Sequence, residues 1–293
     1  MLKGKASIAE LLRLSSSLDK VSDTPRLDLE VLLCHALNTP RSYLYTWPEK
    51  ILATAVVEAF VSLLQDRQRG VPIAHLIGRK EFWSLDLEVS AQTLIPRPET
   101  ELLVETALEL VDKPDARVLD LGTGTGAIAL ALASERPGWD IVAVDIIQGA
   151  VNLAEKNRQR LGFANVSVLQ SDWFENLSGQ SFDLMIANPP YIDPGDEHLN
   201  QGDVRFEPKS ALIAGKAGLS DIETIVAGAR GYLVPGAYLL IEHGYQQGVA
   251  VRALLAAAGF ANVATKVDSN GLERLSLGQS PRQSTRQLTN RQE

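Results

Sequence analysis

A chain of 293 residues, 45% of them hydrophobic, is long enough for a full α/β core plus a small additional domain. The formal net charge is −8 and the sequence pI about 5.2, with no block of Lys or Arg, which argues against a binder driven by nucleic-acid phosphates. A single cysteine, Cys34, excludes an internal disulfide framework and suits a reducing cytoplasm, and no run approaches the ~20 apolar residues of a membrane helix.

The start, Met1-Leu2-Lys3-Gly4-Lys5, is followed by no long apolar run, so no signal peptide is expected. Residues 1–75 read as a helical domain. Ile8, Leu11, Leu12 and Leu14 fall at helical spacing, as do Leu27 to Leu37 after Pro25 and Val56 to Leu64. Breaks are expected at Ser22-Asp23-Thr24-Pro25 and Asn38-Thr39-Pro40. No residue of this region carries evident chemistry, so it reads as a scaffold, a docking surface for a macromolecular substrate, or both.

Gly70-Val71-Pro72 ends the bundle. Trp83, Leu85, Leu87 and Val89 then alternate with polar residues, the period of a half-buried strand. With Leu76-Ile77-Gly78-Arg79 ahead, residues 76–92 are expected to form a β-hairpin linker. In Leu94-Ile95-Pro96-Arg97-Pro98-Glu99-Thr100-Glu101 the prolines hold the backbone extended and suit the entry of a helix, whose dipole the acids complement. Arg97, fixed between two prolines, is expected on an active-site wall.

Residues 93–278 read as a doubly wound α/β domain. Val118-Leu119-Asp120-Leu121 is a buried strand, Gly122-Thr123-Gly124-Thr125-Gly126 a tight glycine loop, and Ala127 to Ala133 the start of a helix. This spacing departs from the dinucleotide form G-x-G-x-x-G and resembles motif I of class I S-adenosylmethionine (AdoMet) methyltransferases. The strand Ile141 to Asp145 ends in a carboxylate ~20 residues past the loop, where an acid accepts from ribose hydroxyls; the alternative is a cap for a helix starting near Gln148. Ser171-Asp172-Trp173 follows the strand Val166 to Leu169. Asp172 is placed to accept from an adenine amino group and Trp173 to flank its ring, or the stretch is a surface loop with a buried Trp.

The strand Phe182 to Ala187 runs into Asn188-Pro189-Pro190-Tyr191. Consecutive prolines stiffen that turn. A planar NH₂ group could donate to the Asn188 oxygen and the Pro189 carbonyl, with Tyr191 packed on its plane. Residues 192–218 form a long polar loop, of the kind that is usually functional or disordered, and here a substrate-covering loop is expected. A helix from Leu219 to Leu233, a strand Ala237 to Glu242, a helix Gly248 to Ala258 and two final strands complete the domain. Residues 279–293 are expected to be a disordered tail. His35, His75, His198 and His243 show no metal-ligand spacing, so no metal is expected.

With both motifs in view, the chain resembles the bacterial release-factor glutamine methyltransferases (the HemK/PrmC family) from its helical start to about Gly278. Glu81-Phe82-Trp83, the Leu94 to Glu101 run, Asp120 to Gly126, Asn188 to Ile192, and Glu207-Pro208 with Ala211-Leu212 carry the likeness. The Pro-Arg-Pro-Glu-Thr-Glu run is the discriminating part, because Asn-Pro-Pro-Tyr is shared with adenine-N6 and other amino methyltransferases. The resemblance implies a class I AdoMet-dependent fold with a small helical front. It implies AdoMet held by Gly122 to Gly126, Asp145, Trp173 and Asn188, and a target glutamine held by Asn188 to Tyr191. The implied reaction is methylation of the glutamine amide nitrogen in the Gly-Gly-Gln motif of peptide chain release factors, without direct nucleic-acid binding. A nucleic-acid amino methyltransferase is the alternative.

Overall fold

The computed structural model describes residues 4–282, which divide into two compact units. One holds the described residues up to Lys80 together with Glu88–Ala91 and Glu197–Glu207. The other holds Glu81–Leu87, Gln92–Asp196 and the described residues from Pro208 onward.

The first unit is helical. α1 (Ile8–Leu12) opens on a capping box: Ser7 Oγ accepts from the Glu10 backbone N–H at 3.2 Å, and the Glu10 carboxylate accepts from the Ser7 N–H at 2.7 Å. Leu14 falls not in that helix but in the 3₁₀ turn Arg13–Leu18 that follows. α2 (Pro25–Leu37) starts on a proline and stops at Asn38, whose φ of 52° ends the helical ladder. α3 (Arg41–Thr46), α4 (Thr54–Gln68) and α5 (Ile73–Ile77) complete the unit. Helical spacing had located α2 and α4; α3 and α5 are too short to show a period. Ile8, Leu11, Leu29, Leu32, Leu33 and Phe60 form a core from which water is fully excluded. Inside it Arg67 is paired with Asp28 at 2.8 Å.

The hairpin is β1 (Arg79–Phe82) and β2 (Leu85–Glu88). Here the alternation misplaced two residues. Trp83 and Ser84 are the turn, with φ of 52° and 59°, and not the beginning of the strand. Two consecutive positive φ values give the connection whose twist suits a two-residue hairpin.

The second unit is built on a seven-stranded sheet: β3 (Arg117–Leu121), β4 (Asp140–Asp145), β5 (Val166–Gln170), β6 (Phe182–Ala187), β7 (Leu233–Glu242), β8 (Ala261–Val267) and β9 (Glu273–Gln279). The spatial order is β5-β4-β3-β6-β7-β9-β8, and only β9 runs against the others. The central strands are apolar at nearly every position because both faces are covered. Val118, Ile141, Ala143, Leu184 and Ile186 face one core with α6 (Glu101–Leu110) and α7 (Ala127–Glu135). Leu119, Leu121, Val142, Val144, Met185 and Ala187 face the other, with the helices Ser220–Ala229 and Gly248–Ala257.

The helix expected from Leu219 to Leu233 ends at Ala229, and its last four residues do not continue it. Leu233 instead pairs with Phe182 and opens β7, which carries Pro235 and Gly236 inside a strand expected to begin at Ala237. The Phe182 N–H donates to Tyr232 O at 2.8 Å, so pairing with β6 overrides the apparent turn. Of the expected tail, Gln279 closes β9 and 283–293 lie outside the described residues.

Candidate active site

Strand order reverses between β3 and β6. From β3 the chain winds outward through β4 and β5, and from β6 it winds the other way through β7. Ligands of open α/β sheets bind at such a switch point, beyond the carboxyl ends of the strands. The glycine loop leaves β3 there and Asn188 leaves β6. The register Leu121↔Ala187 sets the two motifs side by side.

A cavity of about 490 Å³ opens at this edge. Gly122, Thr123, Gly124 and Thr125 line it, and so do Asp145, Asp172, Trp173, Asn188, Pro190 and Arg97. Gly126, Pro189 and Tyr191 stand outside its wall. Gly126 serves helix packing: its φ is +84°, and a Cβ there would lie 3.1 Å from Leu130 Cδ1 and 3.3 Å from Ala154 Cβ. Gly122 has φ +76°, and the Trp173 ring lies where a Cβ on Gly122 would meet it at 3.6 Å, so the ring rests beside the loop.

Asp145 stands at the end of β4. One carboxylate oxygen accepts from the Gly124 N–H and the other from the Ile147 N–H, both at 2.9 Å. The helix α8 (Gln148–Leu161) has Ile147 at its cap position, so Asp145 braces the entry to that helix while still facing the cavity. Burial raises its pKa, against the pull of those backbone donors. Asp120 is fully buried under the loop. It accepts from the Thr123 hydroxyl at 2.6 Å, its Oδ1 has no partner among the described residues, and burial pushes its pKa up to about 7. Ile146 and Ile147, 53% and 39% exposed, present apolar surface to the cavity on Asp145's side.

Asn188 uses its two ends differently. Nδ2 donates to Thr100 Oγ1 at 3.1 Å, while Oδ1 is buried in the wall with no partner among the described residues. Tyr191 donates its hydroxyl to Glu242 Oε1 at 3.3 Å. Burial raises the pKa of Tyr191 and pushes that of Glu242 up to about 7. Sequence reasoning missed Glu242, and it missed Thr100, Thr93 and Asp221, all three of which line the cavity. It missed Asn157 as well, whose buried side chain donates to Thr125 O at 3.0 Å and pins the loop from behind. The run Pro96 to Glu101 held the one signal for Thr100. The others are isolated polar residues with no motif around them.

No group of three or more His, Cys, Asp or Glu among the described residues is arranged to hold a metal ion. No helix among them is long and apolar enough to cross a membrane.

Comparison with known proteins matches residues 10–78 to the PrmC N-terminal domain and residues 112–265 to a methyltransferase domain. The release factor glutamine methyltransferase of Pseudomonas aeruginosa is 56% identical over 88% of this chain and 94% of its own length. That of Shewanella oneidensis is 54% identical, over 88% and 90%. A crystal structure of a methyltransferase from Pyrococcus furiosus superposes with a TM-score of 0.53 at 16% identity, covering 75% of this chain and 98% of that one; it shares the fold. Identity above one half over 88% of the chain settles the kinship: the chain belongs to the release factor glutamine methyltransferase family.

Proposed function

We propose that this chain transfers the methyl group of AdoMet to the side-chain amide nitrogen (N5) of the glutamine in the Gly-Gly-Gln motif of peptide chain release factors, working in the cytoplasm. The names of its relatives supply the substrate class. The observation that carries the chemistry is Asn188, a residue of the cavity wall whose buried Oδ1 has no donor among the described residues. Burying an acceptor with no donor costs roughly 1–3 kcal/mol, a cost that a substrate NH₂ arriving at the wall would remove.

The residues present fit the cofactor. Asp145 offers carboxylate oxygens suited to ribose hydroxyls, Ile146, Ile147 and Trp173 offer apolar surface suited to adenine, and Asp172 is an acceptor suited to its amino group. Bound there, AdoMet supplies an electrophilic methyl carbon on a sulfonium.

An amide nitrogen is a weak nucleophile because its lone pair is delocalised into the carbonyl. Asn188 Oδ1 and the carbonyl of the next residue, Pro189, each accept one N–H hydrogen bond, hold the NH₂ in place and favour positive charge as it builds on nitrogen. Tyr191, which stands outside the cavity wall with its hydroxyl fixed by Glu242, is assigned to flank the planar group where the substrate extends past that wall. Catalysis is then positioning and preorganised electrostatics, and no strong base is required, since the nitrogen proton becomes acidic only as the methyl arrives. Arg97 contributes a fixed cation to the wall.

Incubation with methyl-labelled AdoMet and either a release factor or nucleic acid tests the reading. Label is expected on the Gly-Gly-Gln glutamine. Label on adenine instead, with none on protein, would move the chain to the nucleic-acid amino methyltransferases.

A further inference from the structure

In the cavity wall, Asn188 is tied to Thr100, and Thr100 in turn adjoins Glu242; methyl transfer itself uses neither. Thr100, which is buried, accepts from Asn188 Nδ2 at 3.1 Å. The Thr100 hydroxyl also faces the Glu242 carboxyl. Glu242 ends β7 and is level with Asn188, because Ala187 pairs with Ile241 in the residue before each. Its Oε1 accepts from Tyr191, and its Oε2 is buried without a partner among the described residues.

We propose that Thr100 and Glu242 are positioning residues that lock the Asn188 amide with its oxygen toward the cavity. A threonine hydroxyl has one proton and two lone pairs, whereas an ionised carboxylate only accepts. An ionised Glu242, whose Oε2 has no other donor among the described residues, therefore favours a Thr100 proton turned toward it and leaves a Thr100 lone pair for Asn188 Nδ2. With the Thr100 proton turned the other way, the Asn188 amide would rotate to bond it and present NH₂ to the cavity. A substrate NH₂ would then meet a donor where it needs an acceptor.

The lock depends on charge at Glu242. Arg274 of β9 favours that charge, while burial and Glu99 oppose it, and together they leave its pKa at about 7; the neighbouring His243 is buried, with its own pKa lowered. A protonated Glu242 has an O–H to donate to Thr100, whose own proton is then free to turn toward Asn188 and rotate its amide.

The test uses the full chain and three variants: Thr100→Val, Thr100→Ser and Glu242→Gln. Measurements are AdoMet affinity by calorimetry, kcat and KM with release factor, and hydrogen exchange of the Asn188 side-chain amide by nitrogen-15 NMR. Thr100→Val is expected to lower kcat about tenfold, the scale of one lost hydrogen bond, to speed the amide exchange, and to change AdoMet affinity by less than it changes kcat. Thr100→Ser, which keeps the hydroxyl, is expected to restore both kcat and amide exchange. Wild-type kcat should fall as pH drops through about 7, and Glu242→Gln should remove that limb.

A Val variant with wild-type kcat and exchange overturns the proposal, as does a Ser variant as slow as Val. Should the Val variant not fold, an acid limb that persists in Glu242→Gln overturns it instead. The proposal rests on Asn188 as the amide acceptor. A wild-type protein that binds AdoMet but methylates no release factor sinks that reading, while the exchange measurement still reports on the lock.

Discussion

Asn188 serves two masters, a threonine behind it and a substrate amide in front, and its two functions separate cleanly by substitution. Asn188→Ala removes the acceptor facing the cavity while leaving the glycine loop and Asp145 untouched. Turnover is expected to fall by ~10²–10³, the cost of deleting one preorganised donor–acceptor contact, with AdoMet affinity retained in calorimetry. Asp145→Ala should do the reverse. It removes a charged acceptor and also frees the Gly124 N–H it holds at 2.9 Å, so AdoMet binding should weaken by roughly 10- to 100-fold on the usual worth of hydrogen bonds to charged groups. An unchanged dissociation constant would show that Asp145 only braces the loop. Asp120 makes a third prediction, on stability. Its carboxyl rises from an ordinary value of 3.8 to about 7 on folding, so the folded protein binds more protons than the unfolded chain between those values. The stability this contributes is complete below 3.8 and is lost as pH climbs toward 7. Denaturant melts should therefore show a fall in stability from pH 5 to pH 8 that Asp120→Asn makes shallower.

At the scale of elements, the helix that opens on Gly126 depends on a conformation few residues tolerate. With φ at +84° and Leu130 and Ala154 crowding the missing Cβ, Gly126→Ala combines backbone strain with a packing clash. A loss of about 1–3 kcal/mol is expected in urea denaturation, larger than alanine costs at most surface positions. This element was legible in the sequence because its chemistry is local: apolar strand, alternating glycines and alanine-rich helix stand within twenty residues of one another. Asn188 to Tyr191 was legible for the same reason. What escaped is what strand order alone decides. Glu242 is an acid at the end of an apolar run until β7 is laid beside β6, and only then does it stand level with Asn188. Thr100 sat in plain view inside the Pro96 to Glu101 run, but its role needs a partner 88 positions away. Leu233 to Gly236 misled for a related reason: Pro and Gly signal a turn locally, and pairing with Phe182 makes that stretch a strand.

For the molecule as a whole, a single buried cation joins distant parts of the sequence. Arg67 is 5% exposed in the helical unit, yet it makes five distinct attachments. Its Nε donates to Asp28 Oδ2 at 2.8 Å and its Nη2 to Val21 O at 2.9 Å, while Nη1 serves the carbonyls of Gly70 and Val71. Nη1 also meets Asp203 Oδ1 at 3.1 Å, and Asp203 lies 136 positions along, in the loop that follows Asn188 to Tyr191. One guanidinium thus satisfies a buried carboxylate and ties the Glu197–Glu207 segment into the same unit. Removing it leaves Asp28 charged, 8% exposed and without its cation. Breaking a buried pair from one side typically costs about 3–5 kcal/mol, because the abandoned charge keeps its desolvation penalty. Arg67→Ala should therefore melt the helical unit well before the sheet, splitting one thermal transition into two. Limited proteolysis should cut first near Gly202, since Asp203 has lost its anchor. The double variant Arg67→Met with Asp28→Leu, which removes both charges and refills the space, should recover most of the lost stability but leave the cut near Gly202, because the Asp203 carboxylate still lacks its guanidinium. A single transition in Arg67→Ala at the wild-type temperature would mean that the apolar core around Phe60 holds the unit without help from the ion pair.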